Sequence, residues 1–246
     1  MSAPALKARS ALDLPPAFTL VTLREWGDAH AHACRIAAQE GAGTFVFVRR
    51  FDLVEFAVVL EPEEPLRSAQ RAVLAGMAAV ADGISAHCPP EKAVTFDWPD
   101  AIRFDGARLG GARLAWPDGP EDETPDWLVF SAMLLASKKD EGGLTPGSTS
   151  LEEEGFGPAE REGVAESFAR HLMLHVHTWS ERGFGPVAND YLARLPCEEG
   201  VTRRAIDGNG DLLLHRVGTP EPERRPLLPG LLAPSWIDAR TGRPLL

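Results

Sequence analysis

The apolar positions divide the chain into strand-like and helix-like stretches. Thr44 to Arg50 (TFVFVRR) and Glu55 to Leu60 (EFAVVL) are rich in Val and Phe and stand four residues apart, which predicts an antiparallel hairpin. Phe18 to Leu23 alternates enough for a strand ahead of them. Trp127 to Ala136 (WLVFSAMLLA) is apolar without interruption, as in a strand at the centre of a sheet. Helical spacing takes over elsewhere. Ala29, Ala33, Ile36 and Ala37 form one face of a helix that Asp28 is suited to cap. Leu66 to Ala86 repeats Val73, Leu74, Met77, Val80, Ala81 and Ile84 and predicts one long helix. Pro158 to Arg182 predicts a second, with Val164, Phe168, Leu172, Val176 and Trp179 on its buried face. Val187 to Leu195 predicts a short third.

Between these lies the most informative stretch, Val94 to Ala115 (VTFDWPDAIRFDGARLGGARLA). It reads as strand, Trp-Pro corner, strand, Asp105-Gly106 turn, strand. Gly110-Gly111 interrupts the returning strand, and glycine is tolerated there when something must approach the backbone closely. The stretch is therefore a candidate floor for a ligand, or a packed hairpin with a kink. Strands and helices alternate irregularly, with hairpins between, which predicts an α+β fold: a mixed, mainly antiparallel sheet with helices packed on one face. Residues 1–195 form the main unit, with 1–17 as an N-terminal arm. Residues 196–246 form a small β appendage, built on the turn at Asp207-Gly-Asn-Gly210 and ending in a Pro-rich tail that carries Trp236.

Composition narrows the chemistry. The net charge of −11 argues against nucleic acid and against an anionic membrane as partners. No apolar run approaches the roughly 20 residues of a membrane span, and the N-terminus lacks a signal-peptide core, so the expected location is the cytoplasm. No GxGxxG or GxxxxGK[ST] follows a strand. Cys34, Cys88 and Cys197 show no CxxC spacing, and no lysine is placed near any of them, so they read as inert. His171 and His175 share a helix face, but without HExxH or a third ligand they read as a polar edge, and no metal site is expected. His30 and His32 read as surface or edge residues. Lys138-Lys139 could reach a phosphate or be loop lysines. The acidic runs Glu61 to Glu64, Glu121 to Glu123 and Glu152 to Glu154 read as solvated loops.

Four motifs in order resemble the biotin/lipoate protein ligase family. That family's K-W-P-N-D, D-G turn and K-L-x-G resemble Asp97-Trp98-Pro99-Asp100-Ala101, Asp105-Gly106 and Arg108-Leu109-Gly110-Gly111. Thr149-Ser150-Leu151 resembles its T-S-L. Trp179, Gly183-Phe184 and Tyr191 resemble its long helix and exit, and Asp207 to Leu214 resembles its C-terminal strand. The tail around Pro234-Ser-Trp-Ile-Asp resembles the extension of a bacterial ligase-like subgroup.

The resemblance implies a ligase-like fold and a site. Arg108 stands for the family lysine as the catalytic candidate. Asp28, Arg49, Arg50, Asp97, Trp98, Pro99, Asp100, Gly110, Gly111, Ala112 and Arg113 are the implied ligand contacts. Family chemistry joins a carboxylic acid to AMP with ATP and Mg²⁺, then passes the acyl group to a lysine of a carrier protein domain. Here the motif lysine is Asp97, the asparagine is Asp100, and Arg49-Arg50-Phe51-Asp52 replaces the Gly- and Arg-rich adenylate loop. The expectation is an altered ligase or acyl transferase for a biotin-, lipoate- or amino-acid-like acid. The alternative is a non-catalytic binding or assembly protein on the same fold.

Overall fold

The computed structural model describes residues 12–88, 91–138, 145 and 147–246. Its centre is β7 (Leu128–Leu135), all eight residues of which are buried. The sheet has seven strands in the order β1-β2-β3-β7-β6-β5-β4. Here β1 is Thr19–Leu23, β2 Thr44–Val48, β3 Leu53–Leu60, β4 Val94–Asp97, β5 Ala101–Phe104 and β6 Ala107–Ala115. Only β1 and β2 run parallel; the other neighbours are antiparallel. The fold is thus α+β with a mixed, mainly antiparallel sheet, and the β2–β3 hairpin forms as its pattern requires.

Successive residues of β7 serve opposite faces, as the pleat demands. Leu128, Phe130, Ala132 and Leu134 join the large core, which holds α3 (Ala72–Ser85) and α4 (Pro158–Arg182). Val129 joins a second cluster beneath α1 (Ala29–Glu40). Met133 and Leu135 join a third, with Leu53, Ala101 and Trp236. Helices therefore cover both faces, not one. The parallel β1–β2 pair explains the difference. Its crossover helix α1 must pass over the sheet, where Val46, Val48, Ala57 and Val59 need a cover.

Two more expectations are corrected. Leu66 to Ala86 is not one helix but α2 (Leu66–Ala69) and α3. Around Gln70 and Arg71 the bonds tighten to the i→i+3 type (Val73 N–H to Gln70 O, Leu74 N–H to Arg71 O), while Arg71 pairs with Glu64 at 2.5 Å and lies over the rings of Trp179 and Phe184. On α4, Val176 is 43% exposed, because it faces an open cavity of about 490 Å³ walled by Leu60, Ala72, Leu172 and Trp179.

The exit from α4 is α5 (Gly185–Leu192), followed by β8 (Val201–Ile206) and β9 (Leu212–Arg216). β10 (Glu223–Arg225) and α6 (Leu227–Leu232) follow, and neither shows in the sequence. α6 is one short turn-and-a-half around Pro229-Gly230, too brief for a helical period. Leu212, Leu214, Leu227 and Leu231 extend the large core. Of the N-terminal arm, residues 12–17 lie along α4, where the Asp13 N–H donates to Glu166 and Arg170 donates to Asp13; residues 1–11 lie outside the described residues. Among the described residues no helix is long and apolar enough to cross a membrane.

Phe168 joins the layers. Its ring centroid lies 4.5 Å from that of Phe56, 5.5 Å from Phe130 and 6.2 Å from Phe45. Phe168→Ala should cost about 3–5 kcal/mol in urea unfolding; a loss below about 1 kcal/mol would show that α4 is dispensable to the core.

Candidate functional site

The Val94–Ala115 stretch folds as β4, corner, β5, turn, β6. Asp105 (φ 48°) and Gly106 (φ 83°) both take positive φ, the geometry of a tight hairpin turn. The corner holds a cis Trp98–Pro99 bond. Tyr191 of α5 fixes it: its O–H donates to Pro99 O at 2.7 Å, and its ring stacks on Phe96 and meets Trp98 edge-on. Residues paired across antiparallel strands share a face. The pairs Asp97–Ala101, Arg103–Arg108 and Ala101–Gly111 therefore put Asp97, Arg103, Arg108 and Gly111 on one side. That is the side of Trp236, which packs with Ala101.

Something does approach the paired glycines. Gly110 (φ 158°) sits at the strand irregularity and presses on the backbone of Met133. Gly111 lies under the indole of Trp236: a Cβ there would stand 2.5 Å from two of its carbons. Trp236 is 1% exposed and donates its N–H to Ala112 O at 3.2 Å. The tail around it is a small hairpin, with Leu245 N–H donating to Trp236 O at 2.7 Å and a bridge between Ile237 and Pro244. Arg243 ties it to Asp52 at 2.6 Å.

Beside Trp236 lies a buried carboxyl. Asp100 is 1% exposed, and neither of its oxygens has a hydrogen-bond partner. Burial pushes it up to about 7, against smaller opposing pulls from the Trp236 N–H and its own backbone N–H. The indole N–H is near enough to favour the ionised form, yet its geometry directs it to Ala112 O. The buried Trp98 N–H is also without a partner. By contrast Asp97 is held by Arg103 at 2.7 Å. The Arg108 backbone is clamped between Gly147 O and Thr149 N–H, which brings the Thr149-Ser150-Leu151 segment alongside β6. Its side chain is partly exposed and forms no ion pair among the described residues.

A second polar group lies on the same face at the start of α1. The row Glu55–Met133–Gly111–Ala101 crosses four strands and connects the two. Asp28 caps α1 by accepting from Ala31 N–H at 2.8 Å, and Glu55 accepts from Ala29 N–H at 2.7 Å. Arg50 is committed to both oxygens of Asp52 (2.8 and 2.9 Å) and to Glu55 (3.3 Å). Arg113 stands 4.0 Å from Asp28. His30 is not an edge residue: its ring meets Ser131 Oγ at 2.8 Å, and burial, aided by Arg113, lowers it to about 4, so it is neutral at pH 7.

The structure thus brings Asp97, Asp100, Arg108 and Gly111 to the hairpin end of one face, and Asp28, Arg50 and Arg113 to its α1 end, whereas Gly110 pairs with Ile102 and Leu134 of the large core and belongs to the other face. Arg49 is exposed at the end of β2, Trp98 and Pro99 pack at the corner, and the Ala112 methyl points into the large core. Sequence reasoning missed Glu55, His30, Ser131 and Trp236. The available signals were a lone charge inside an apolar strand and a tryptophan inside a Pro-rich tail. His171 hydrogen-bonds Ser167 O, and His175 pairs with Asp82 at 2.8 Å, where Arg194 also binds. Burial raises the Cys34 and Cys88 thiols, so neither is primed as a thiolate. Lys138 pairs with Glu153 at 2.9 Å, and Glu154 with Lys92 at 2.5 Å, so the Glu152 to Glu154 run is not simply solvated. Lys139 lies outside the described residues. A cleft of about 390 Å³ opens beside the tail, between Ser137-Lys138 and Arg240, Thr241 and Arg243. None of the predicted contacts lines the larger cavity behind α4.

A sheet of this order, with a glycine-floored hairpin face, defines a ligase-type fold. The biotin/lipoate A/B protein ligase family matches the chain over residues 14–193, and the chain belongs to that family. A biotin protein ligase-like protein of unknown function from a Silicibacter species is 28% identical, with a TM-score of 0.75 over 90% of this chain and 99% of its own. Biotin protein ligase from Aquifex aeolicus is 14% identical, with a TM-score of 0.60 over 85% and 99%. The Leishmania major ligase, in complex with biotin, is 15% identical, with a TM-score of 0.54 over 85% and 98%. Among curated proteins none matches the chain.

Asp100 gives the face a pH signature. Trp236 from the tail and Tyr191 from α5 face it. The folded protein keeps the Asp100 proton up to about pH 7, whereas the unfolded chain releases it near 3.8. Between these values the folded state binds more protons, so this group's contribution to stability is full at low pH and is lost as pH rises towards 7. Asp100→Asn should therefore be more stable than wild type at pH 8, by roughly 2–4 kcal/mol. The gap should close as pH falls to 4. Urea midpoints across that range check it, and a gap that does not change with pH would refute it.

Proposed function

We propose that this protein binds a small carboxylic acid on the Gly111 face and that Arg108 holds its anionic end. The guanidinium of Arg108, without an ion pair among the described residues, on the same face as Gly111 and at the family's cation position, carries this reading. A guanidinium can fork onto a carboxylate with two parallel hydrogen bonds. Biotin in the Leishmania ligase, and biotin with ATP in an Aquifex complex, are acids and nucleotide bound by relatives of the same fold.

ATP and Mg²⁺ fit the described residues less well. A triphosphate calls for several unengaged cations, since the developing charge is stabilised electrostatically. Arg50 is held by Asp52 and Glu55, Arg103 by Asp97 and Lys138 by Glu153. Arg108, without an ion pair among the described residues, suits a single carboxylate. A second reading is an ATP-dependent ligase or acyl transferase that modifies a lysine of a carrier protein. The cleft between Lys138, Arg240 and Arg243 favours it, because three cations there border the end of β7. The net charge of −11 would repel an acidic carrier.

Calorimetry with biotin, lipoate, octanoate and amino acids should find a bound acid. Arg108→Ala should weaken it at least tenfold with no change in the urea midpoint, and Arg108→Lys should recover part of the loss. Unchanged affinity in Arg108→Ala would sink the assignment. ATP–pyrophosphate exchange with any of these acids would move the conclusion to the ligase reading.

A further inference from the structure

Behind α4, on the side of the sheet away from the Gly111 face, lies the cavity of about 490 Å³. Its size is that of a small-molecule pocket. Leu172, Val176 and Trp179 share one face of α4 and form one wall. Ala72 and Ala75 stand opposite, where longer side chains would close the gap. Leu60 and Leu128 line the cavity from the end of the sheet. Leu172, Ala75 and Leu128 are at most 2% exposed, so the cavity reaches down to side chains of the large core, while Val176 stands at its mouth.

The apolar hollow has an acidic rim. Glu61, Glu63 and Glu64 follow β3 directly and line it. Glu64 is engaged by Arg71 and accepts the Trp179 indole N–H at 3.1 Å. Glu61 accepts the Ala42 N–H at 3.2 Å, and neither it nor Glu63 forms an ion pair among the described residues. A second acidic loop is fastened to the start of α2: Leu66 N–H donates to Glu123 O at 2.8 Å, and Arg67 N–H to Glu121 O at 2.9 Å. The Arg67 and Glu121 side chains meet at 3.8 Å, both more than half exposed, and such a pair contributes little. Carboxylates around a low-dielectric hollow concentrate cations there. They oppose an anionic chain and do nothing for a neutral one.

We infer that this cavity is a second ligand site, for an aliphatic amine whose hydrocarbon chain lies between α3 and α4 and whose ammonium stays at the mouth with Glu61 and Glu63. The walls are mainly aliphatic, which suits a flexible chain. Each methylene the cavity takes out of water strengthens binding about fourfold. The ammonium stays partly hydrated at the mouth, where two carboxylates without ion pairs face it, so its charge is not stranded in the core. The site shares no residue with the Gly111 face, and its ligand carries the opposite charge. It therefore stands apart from the carboxylate reading of Arg108.

Octylamine, 1-octanol and octanoate test this on the full-length chain, because they share one chain and differ in head charge. Calorimetry at pH 7 and low salt should place octylamine at least fivefold ahead of octanol, with hexylamine about tenfold weaker than octylamine. Octanoate should not compete with octylamine. Glu61→Gln combined with Glu63→Gln should weaken octylamine at least fivefold and leave octanol within twofold. Salt at about 0.5 M should remove most of the preference for the amine. Val176→Trp fills the mouth from an exposed position and should weaken octylamine and octanol at least tenfold, with the urea midpoint reporting that the fold is kept. Ser180→Phe, exposed at the same mouth, serves if the tryptophan variant does not fold. No octylamine binding, equal affinity for octylamine and octanol, no effect of chain length, or binding that survives both filling variants each overturns the proposal. Arg108→Ala should leave octylamine affinity unchanged. A loss there would place the amine on the Gly111 face and overturn the second site, whereas unchanged acid binding in the same variant sinks the carboxylate reading alone.

Discussion

β7 is apolar on both sides, and that constraint organises the rest. A strand buried on both faces obliges the chain to cover each face of its sheet. On one face α3 and α4 do this with a continuous core through Phe130 and Phe168. On the other no single element is long enough. α1 covers the end near Val129, and a thirteen-residue tail covers the end near Met133 and Leu135. The candidate site lies where these two covers meet. It is a place where the core is closed by the C-terminal tail rather than by a helix in the main layer.

The polar groups there behave unlike those elsewhere in the molecule. Most charges are spent in pairs: Arg50 with Asp52 and Glu55, Arg103 with Asp97, Lys138 with Glu153. Asp100 is buried with no partner, and Arg108 reaches solvent with none among the described residues. Burying the Trp236 indole is worth roughly 3–5 kcal/mol, enough to offset much of the cost of an unpartnered carboxyl that stays protonated. A fold tolerates such a local conflict chiefly at functional positions. The face and its glycine floor are kept, and Arg50, Arg103 and Lys138 around it are each engaged by a carboxylate.

Much of the fold is legible in the sequence because its determinants are local. Asp105-Gly106 supplies the two positive-φ positions of a hairpin. Asp28 caps α1 with its own side chain. The uninterrupted WLVFSAMLLA places its strand at the centre of the sheet. The errors have physical causes too. Helical spacing over Leu66 to Ala86 cannot show that Arg71 would be drawn to Glu64 and two aromatic rings. Nor can the spacing on α4 show that Val176 faces a cavity instead of a neighbour.

The candidate site divides the same way. The sequence alone marked Gly110-Gly111 as either a floor that something approaches closely or a kink in a packed hairpin, because side chains are missing where a strand would want them. It also placed Asp97, Asp100 and Arg108 within a few residues of that opening. Only the tertiary structure decided what fills the space: Trp236, which hydrogen-bonds to Ala112 across 124 residues of chain. Strand pairing, not spacing along the chain, set Arg108 and Gly111 on one face and turned the Ala112 methyl to the other. A glycine records that contact is needed at its own position, but the contact is made by whatever the fold brings there, and that depends on how every cover of the sheet is shared out.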